Sequence, residues 1–195
     1  MGLDMYLNKM PRCKGATVND VVNIENYIDY IESCKNPNSK AREYSMEEWC
    51  GTKENDINPK LLEFYRHFYT RKYSDWDTEQ KYGYDRIMDQ AAYWRKANEI
   101  HNWFVDKVQD CIDDCDYHNE VTKEILEELL DTCERVLADP NVAMELLPTT
   151  SGFFFGSTDY DEWYFQDIEY TVEAIRKILD TTDFETEMLY YISSW

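Results

Sequence analysis

The sequence predicts an α+β protein that is mainly α: a helical domain with a small β-sheet and a helical insertion after the first strand. Three observations predict it. Apolar residues recur at helical spacing through most of the second half. Short apolar segments at Leu3–Lys9 and Gly152–Gly156 have the length and boundaries of strands. The charge also changes along the chain. Residues 1–75 hold 12 acidic and 11 basic side chains, whereas residues 76–195 hold 28 and 9.

Taken in order, Leu3–Lys9 alternates weakly ahead of Pro11 and predicts a strand. Asn19–Cys34 places Val22, Ile24, Tyr27, Ile28 and Ile31 along an amphipathic helix, broken by Asn36-Pro37-Asn38-Ser39. Residues 40–60 read as irregular, with a helical turn near Glu47–Trp49. Asn58-Pro59 opens a helix over Leu61–Tyr69, since proline is preorganised for an early helical position. Arg71–Tyr84 reads as loop. Asp85–Gln109 has helical spacing at Ile87, Ala91, Trp94, Ala97, Ile100, Phe104 and Val108; it is one helix, or a helix starting near Arg95. Asp113–Asn119 is a connection.

Thr122–Leu137 has the clearest pattern. Ile125, Leu126, Leu129, Leu130, Cys133, Val136 and Leu137 form one stripe, opposite Glu124, Glu127, Glu128, Asp131 and Glu134. Val142–Leu147 adds a turn before Pro148. The glycine-bounded Phe153-Phe154-Phe155 predicts a short buried strand, paired with residues 3–8 and joined by Tyr93–Lys96 if that stretch is extended. Thr158 with Asp161 suggests a capping box ahead of a helix over Asp161–Asp180. A last short helix is expected near Glu185–Ser193.

The chain has 195 residues, 40 acidic and 20 basic, for a net charge of −20. Its 43 % hydrophobic content supplies a core, so the charge does not imply disorder. Direct nucleic-acid binding is excluded as an expectation, because phosphate contacts need clustered Lys and Arg. Docking on an anionic membrane is excluded likewise. No apolar run approaches the ~20 residues that span a bilayer, no signal peptide is visible, and position 6 lacks the Ser or Thr of a myristoylation signal. A cytoplasmic location is the expectation.

Six cysteines, at 13, 34, 50, 111, 115 and 133, read as free thiols in a reducing compartment. Cys111, Cys115 and His118 raise zinc as an alternative, but the usual CxxC spacing is missing, so no metal is assigned. The acids Asp159, Asp161, Glu162 and Asp167 match no EF-hand spacing, and neither do Asp110, Asp113, Asp114 and Asp116. Gly152–Thr158 lacks a phosphate-loop pattern, and the acids that follow it repel phosphate. No cofactor is expected.

Two candidate sites remain. The first is a partner-binding acidic surface made by Asp113, Asp114, Asp116, Glu120, Glu124, Glu127, Glu128, Asp131, Glu134, Asp159, Asp161 and Glu162. The second is a ligand-binding face made by Tyr93, Trp94, Arg95, Asn98, His101 and Asn102. Helical spacing brings Arg95, Asn98, His101 and Asn102 together there, offering a guanidinium fork and a titratable imidazole. No nucleophile–base motif accompanies it, so no catalytic residue is assigned and a non-enzymatic role is favoured.

Three segments carry a resemblance: Gly2-Leu3-Asp4-Met5-Tyr6-Leu7, Tyr93–Phe104, and Leu147–Glu162 with its Ser151-Gly152-Phe153-Phe154-Phe155-Gly156-Ser157-Thr158 core. In these the chain resembles a family of small uncharacterised proteins encoded by phages, prophages and mobile elements. The resemblance covers the start and most of residues 90–180. It implies an acidic core domain of residues 1–10 plus 86–195, with 11–85 as a near-neutral helical insertion. It also implies an intracellular phage accessory protein, a setting that favours counter-defence or host takeover. The leading expectation is therefore an inhibitor that binds a basic host nucleic-acid-handling protein, such as a CRISPR or restriction nuclease, through a surface mimicking nucleic acid. The alternative is a nucleotide-like small-ligand protein or enzyme using Arg95, Asn98 and His101.

Overall fold

The computed structural model describes residues 2–69 and 87–195. In chain order the elements are β1 (Asp4–Pro11), α1 (Val18–Lys35), α2 (Met46–Cys50), α3 (Pro59–Arg66), β2 (Asp89–Arg95), α4 (Asn98–Val108), α5 (Lys123–Ala138), α6 (Ala143–Leu146), α7 (Glu162–Thr181) and β3 (Glu187–Ser194). Short 3-10 turns lie at Lys40–Glu43, Glu54–Asp56 and Pro140–Val142. The fold is α+β and mainly α, with a three-stranded antiparallel sheet in the order β2-β1-β3.

Two compact units make up the chain. One comprises the residues up to Lys9 together with Gln90–Trp195; the other is Met10–Asp89. The larger carries 25 acidic and 8 basic side chains, a net of −17; the smaller carries 15 and 12, a net of −3. The chain leaves the sheet at the end of β1 and returns to it at the start of β2, the adjacent strand.

In the smaller unit, side-chain caps set the helix starts. Thr17 and Asp20 form a capping box on α1, Ser45 and Glu48 form another on α2, and Asn58 caps α3 with Pro59 in its first turn. Val21, Ile24 and Ile28 of α1 are buried, as are Met46, Leu61 and Tyr65 of the two helices that pack against it.

In the larger unit, one sheet face meets the helices. Met5, Leu7, Ala92, Trp94, Leu189 and Tyr191 point into the core, as the two-residue period of a strand requires. Phe104 of α4 stacks on Tyr191 with centroids 4.2 Å apart and planes 11° apart. Trp94 Nε1 donates to Thr171 Oγ1 of α7 at 2.9 Å, so the indole is buried with its polar atom satisfied. Helices α5 and α7 pack together through Leu126, Leu129, Cys133 and Val136 against Ile168, Val172, Ile175 and Ile178. Each such aliphatic side chain contributes roughly 1.5–3 kcal/mol by leaving water.

On the other sheet face Tyr93 donates to Asp4, and its ring lies 5.3 Å from that of Tyr6. Burial, and the cost of ionising beside Asp4, push the Tyr93 hydroxyl up to about 12.

Four expectations need correction. Gly152–Gly156 is not a strand: it is an irregular loop in which Phe153 and Phe154 are exposed and only Phe155 is buried. Glu185–Ser193 is not a helix, because Glu187–Ser194 forms β3; its β-branched and aromatic content suits a pleated surface, and its edge position supplies the pairing. Of the two readings of Asp85–Gln109, the single helix fails, while the helix starting near Arg95 and the extended stretch at Tyr93 joining the sheet hold. Asp89–Arg95 is strand β2, Lys96 turns the chain with φ 64°, and α4 starts at Asn98. Finally, α7 is capped by Asp161, which accepts from the amides of Trp163 and Tyr164, and not by Thr158. The expected loop at Arg71–Tyr84 lies outside the described residues.

Candidate functional site

The acidic candidates are distributed by the helix period. On α5 Leu126, Leu129, Cys133 and Val136 are buried, Ile125, Leu130 and Leu137 are half-buried, and Glu124, Glu127, Glu128, Asp131 and Glu134 are all exposed. Exposed cations partner four of them: Lys123 with Glu127 at 3.5 Å, Lys107 with Glu128 at 2.6 Å, Arg135 with Asp131 at 3.7 Å, and Arg176 with Glu134 at 2.7 Å. Such exposed pairs are each worth ~0–1 kcal/mol. Asp116, Asp159 and Glu162 are exposed; Asp114, Glu120 and Asp161 are half-buried. Asp114 binds His118 at 2.8 Å, which holds its carboxyl below the usual range.

The ligand-binding candidates do not share one helix face, because Tyr93, Trp94 and Arg95 belong to a strand and the rest to α4. Trp94 is in the core. Tyr93 is tied to Asp4, and Arg95 is exposed with its Nε 3.9 Å from Asp4. Asn102 is half-buried one residue beyond His101.

Asn98 instead holds a loop. Its Oδ1 accepts from the Thr150 amide at 2.8 Å, and its Nδ2 donates to Ser157 O at 2.8 Å and Phe155 O at 3.3 Å. The side chain is buried, so these bonds fasten residues 150–157 to the start of α4. Thr149 ties the loop base to Thr158 O at 3.0 Å, and Tyr164 donates to Leu147 O at 2.8 Å. Gly152 packs against the Phe155 ring so closely that a Cβ there would lie 2.5 Å from it. Gly156, at φ 102°, sits where a Cβ would meet Lys96 at 3.2 Å. Both glycines are therefore required by geometry, which the motif concealed as strand boundaries.

His101 is fully buried and engaged at both nitrogens. Nδ1 lies 2.7 Å from the Tyr191 hydroxyl, and Nε2 lies 3.0 Å from Asp113 Oδ1. Phe155 covers the ring edge-on at 5.2 Å, and Trp195 Nε1 donates to the same Asp113 oxygen at 3.1 Å. Burial lowers the His101 pKa, and Asp113 only partly offsets it. A neutral imidazole then accepts from Tyr191 and donates to Asp113. Both ring nitrogens are thus taken by side chains of the fold, and the bonds tie α4 to β3.

The chain matches no family model, and no curated protein or solved structure is significantly similar to it.

Three further groups were illegible in the sequence. Glu99, in the first turn of α4, is buried with Oε1 unpartnered, and burial pushes its carboxyl up to about 8. The like charge of Asp167 on α7 adds to this, and Asp167 itself is pushed up to about 6 by burial. Phe153 and Phe154 are the third case: a triple-Phe run reads as core, and nothing in the sequence tells which rings face water. The six cysteines are unpaired, Cys111 and Cys115 being exposed and Cys133 buried. Among the described residues no three His, Cys, Asp or Glu side chains are placed to hold a metal ion. Nor is any described helix long and apolar enough to cross a membrane. In the smaller unit, an open depression of about 400 Å3 is lined by Lys40, Tyr44, Glu48 and Trp49.

Proposed function

We propose that this chain is a phage-type accessory protein acting in the host cytoplasm by binding rather than catalysis. Its acidic larger unit occupies the basic channel of a host nucleic-acid-handling protein, in the manner of a counter-defence inhibitor of a CRISPR or restriction nuclease. One observation carries the reading: α5 turns five carboxylates to solvent on a helix whose opposite face is core. From Glu124 to Glu134 the axis rises ~15 Å. The five carboxylates therefore recur on average about every 3.8 Å of axis, comparable to the ~3.4 Å between phosphates of one DNA strand. The net charge of −17 on this unit favours steering toward a cationic surface. The resemblance of the opening, Tyr93–Phe104 and Leu147–Glu162 to phage-encoded proteins supplies the biological setting.

The small-ligand alternative draws no support from geometry, since Arg95, Asn98 and His101 point to separate partners.

The experiment is a nuclease-inhibition and pull-down assay on a panel of purified CRISPR and restriction effectors across a salt series. The expected result is inhibition relieved by added DNA and weakening steeply with salt. The quintuple variant Glu124→Gln, Glu127→Gln, Glu128→Gln, Asp131→Asn, Glu134→Gln should bind at least about tenfold more weakly. Salt-independent binding, or no binding to any effector, overturns the reading.

A further inference from the structure

The loop over residues 147–160 is built to hold two phenyl rings in water. Phe153 is 70 % and Phe154 55 % exposed, and their rings meet at 4.4 Å in a T-shaped pair. Phe154 is held at φ 61°, a left-handed conformation that a bulky side chain adopts only at a cost in energy. Loops placing large apolar groups outward ordinarily relax and collapse, but this one is denied that freedom. Asn98 binds it at three backbone atoms, Thr149 closes its base, and Phe155 is sunk between His101 and Trp195. Three residues past the loop, Trp163 is 72 % exposed at the start of α7, flanked by the exposed carboxylates of Glu162 and, further back, Asp159. Neither the strain nor the exposure helps folding. A rigid aromatic pair in a fixed loop is the anatomy of a binding hot spot, since little entropy is lost when it is buried.

We propose that Phe153 and Phe154 form an anchor that inserts into an apolar pocket on a basic protein, with the carboxylates of Asp159 and Glu162 meeting cations at that pocket's rim. This rests on the acidic-surface reading above and adds the contact that fixes the docking position. Charge selects the occupant. An anionic bilayer is repelled by a unit of net charge −17, and so is a second copy of the same unit. A cationic protein surface is attracted and can offer an apolar pocket. Electrostatics alone would leave the partner free to slide, and the aromatic pair would give the complex one register.

The test selects binders from a surface-displayed library of random peptides against the immobilised full chain. Variants are then compared on the enriched peptides. The expected consensus carries Lys or Arg around one or two bulky apolar residues. Phe153→Ser with Phe154→Ser should weaken those peptides at least about tenfold while the thermal midpoint holds. Phe154→Asn, better suited to a left-handed backbone, should raise the midpoint and still lower affinity, an opposition that a merely structural residue does not produce. The quintuple α5 variant reports separately on the acidic surface. Basic peptides that bind both Phe variants at full strength overturn the anchor and leave the acidic reading standing. Enrichment without basic residues, or no enrichment, overturns both. Dimerisation or binding to neutral vesicles that the Phe variants abolish assigns the anchor to another occupant and overturns the proposal.

Discussion

The Tyr191 hydroxyl lies 2.7 Å from His101 Nδ1, and both side chains are buried, one on β3 and the other on α4. The bond joins the C-terminal strand to the helix that follows β2. His101→Leu removes an acceptor from Tyr191 and a donor from Asp113. It should cost about 1–3 kcal/mol, read from urea midpoints. The pH profile follows from the lowered pKa. Below the ordinary value of 6.5 the unfolded chain takes up a proton that the folded chain resists. Stability from this residue is therefore full above 6.5 and falls as the pH drops further, and His101→Leu should flatten that acid limb. An unchanged limb would mean that His101 takes up its proton at the same pH in the folded and the unfolded chain.

Asn98→Ala should free the loop. Three backbone groups lose a buried partner, at about 1–3 kcal/mol for each left unsatisfied. Hydrogen exchange at the Thr150 amide reports it directly, and protection there should collapse while the α5 amides keep theirs. Asn98→Asp keeps the acceptor but sets a carboxylate against two carbonyl oxygens, so it should be no better than alanine.

Glu99 gives an opposite pH dependence. Its carboxyl is raised from 4.5 to about 8, so between those values the folded protein holds a proton that the unfolded chain has released. Stability is full below 4.5 and declines through the window at up to about 1.4 kcal/mol per pH unit. Glu99→Gln should abolish the decline and make the protein more stable than wild type above pH 8. If denaturation midpoints of the variant track those of wild type across this range, Glu99 is ionised in the fold.

Gly156→Ala should cost on the order of 1–3 kcal/mol, because alanine disfavours φ 102° and its Cβ meets the Lys96 carbonyl. Gly152→Ala acts differently, forcing the Phe155 ring off His101. A thermal midpoint unmoved by both substitutions would mean the loop repacks freely.

Thiol labelling should be ordered by exposure. Cys111 and Cys115 react first with an aromatic disulfide reagent, and Cys133 reacts only on unfolding, since burial pushes its thiol far up. Early reaction of Cys133 would place it outside the α5–α7 core.

Most helices were legible because their period and caps are local. Thr17, Ser45 and Asn58 announce starts, and the α5 stripe announces a buried face. The sheet was half legible. Residues 4–11 alternate, but Glu187–Ser194 carries no turn signal and becomes a strand only by pairing with β1, a long-range event. Asp89–Arg95 mimics a helical pattern because Trp94 and Ala97 happen to fall three apart, one in a strand and one beyond it. At the candidate site, outward acids follow from helix geometry. The roles of Asn98 and His101 do not, because their partners stand 12 to 90 positions away and most of them more than 50.

Because β1 and β2 are neighbours in the sheet, the 10–89 unit is a guest whose two ends the host pins about 5 Å apart, the spacing of paired strands. The host has settled the loop-closure entropy of its guest in advance, and a short turn can stand in its place. Grafting two turn residues between Met10 and Asp89 should then leave a chain that still carries α5, the Asn98 clamp and the phenyl pair. The same junction would accept an unrelated guest of close-set ends, so the acidic host and its cargo can be exchanged independently.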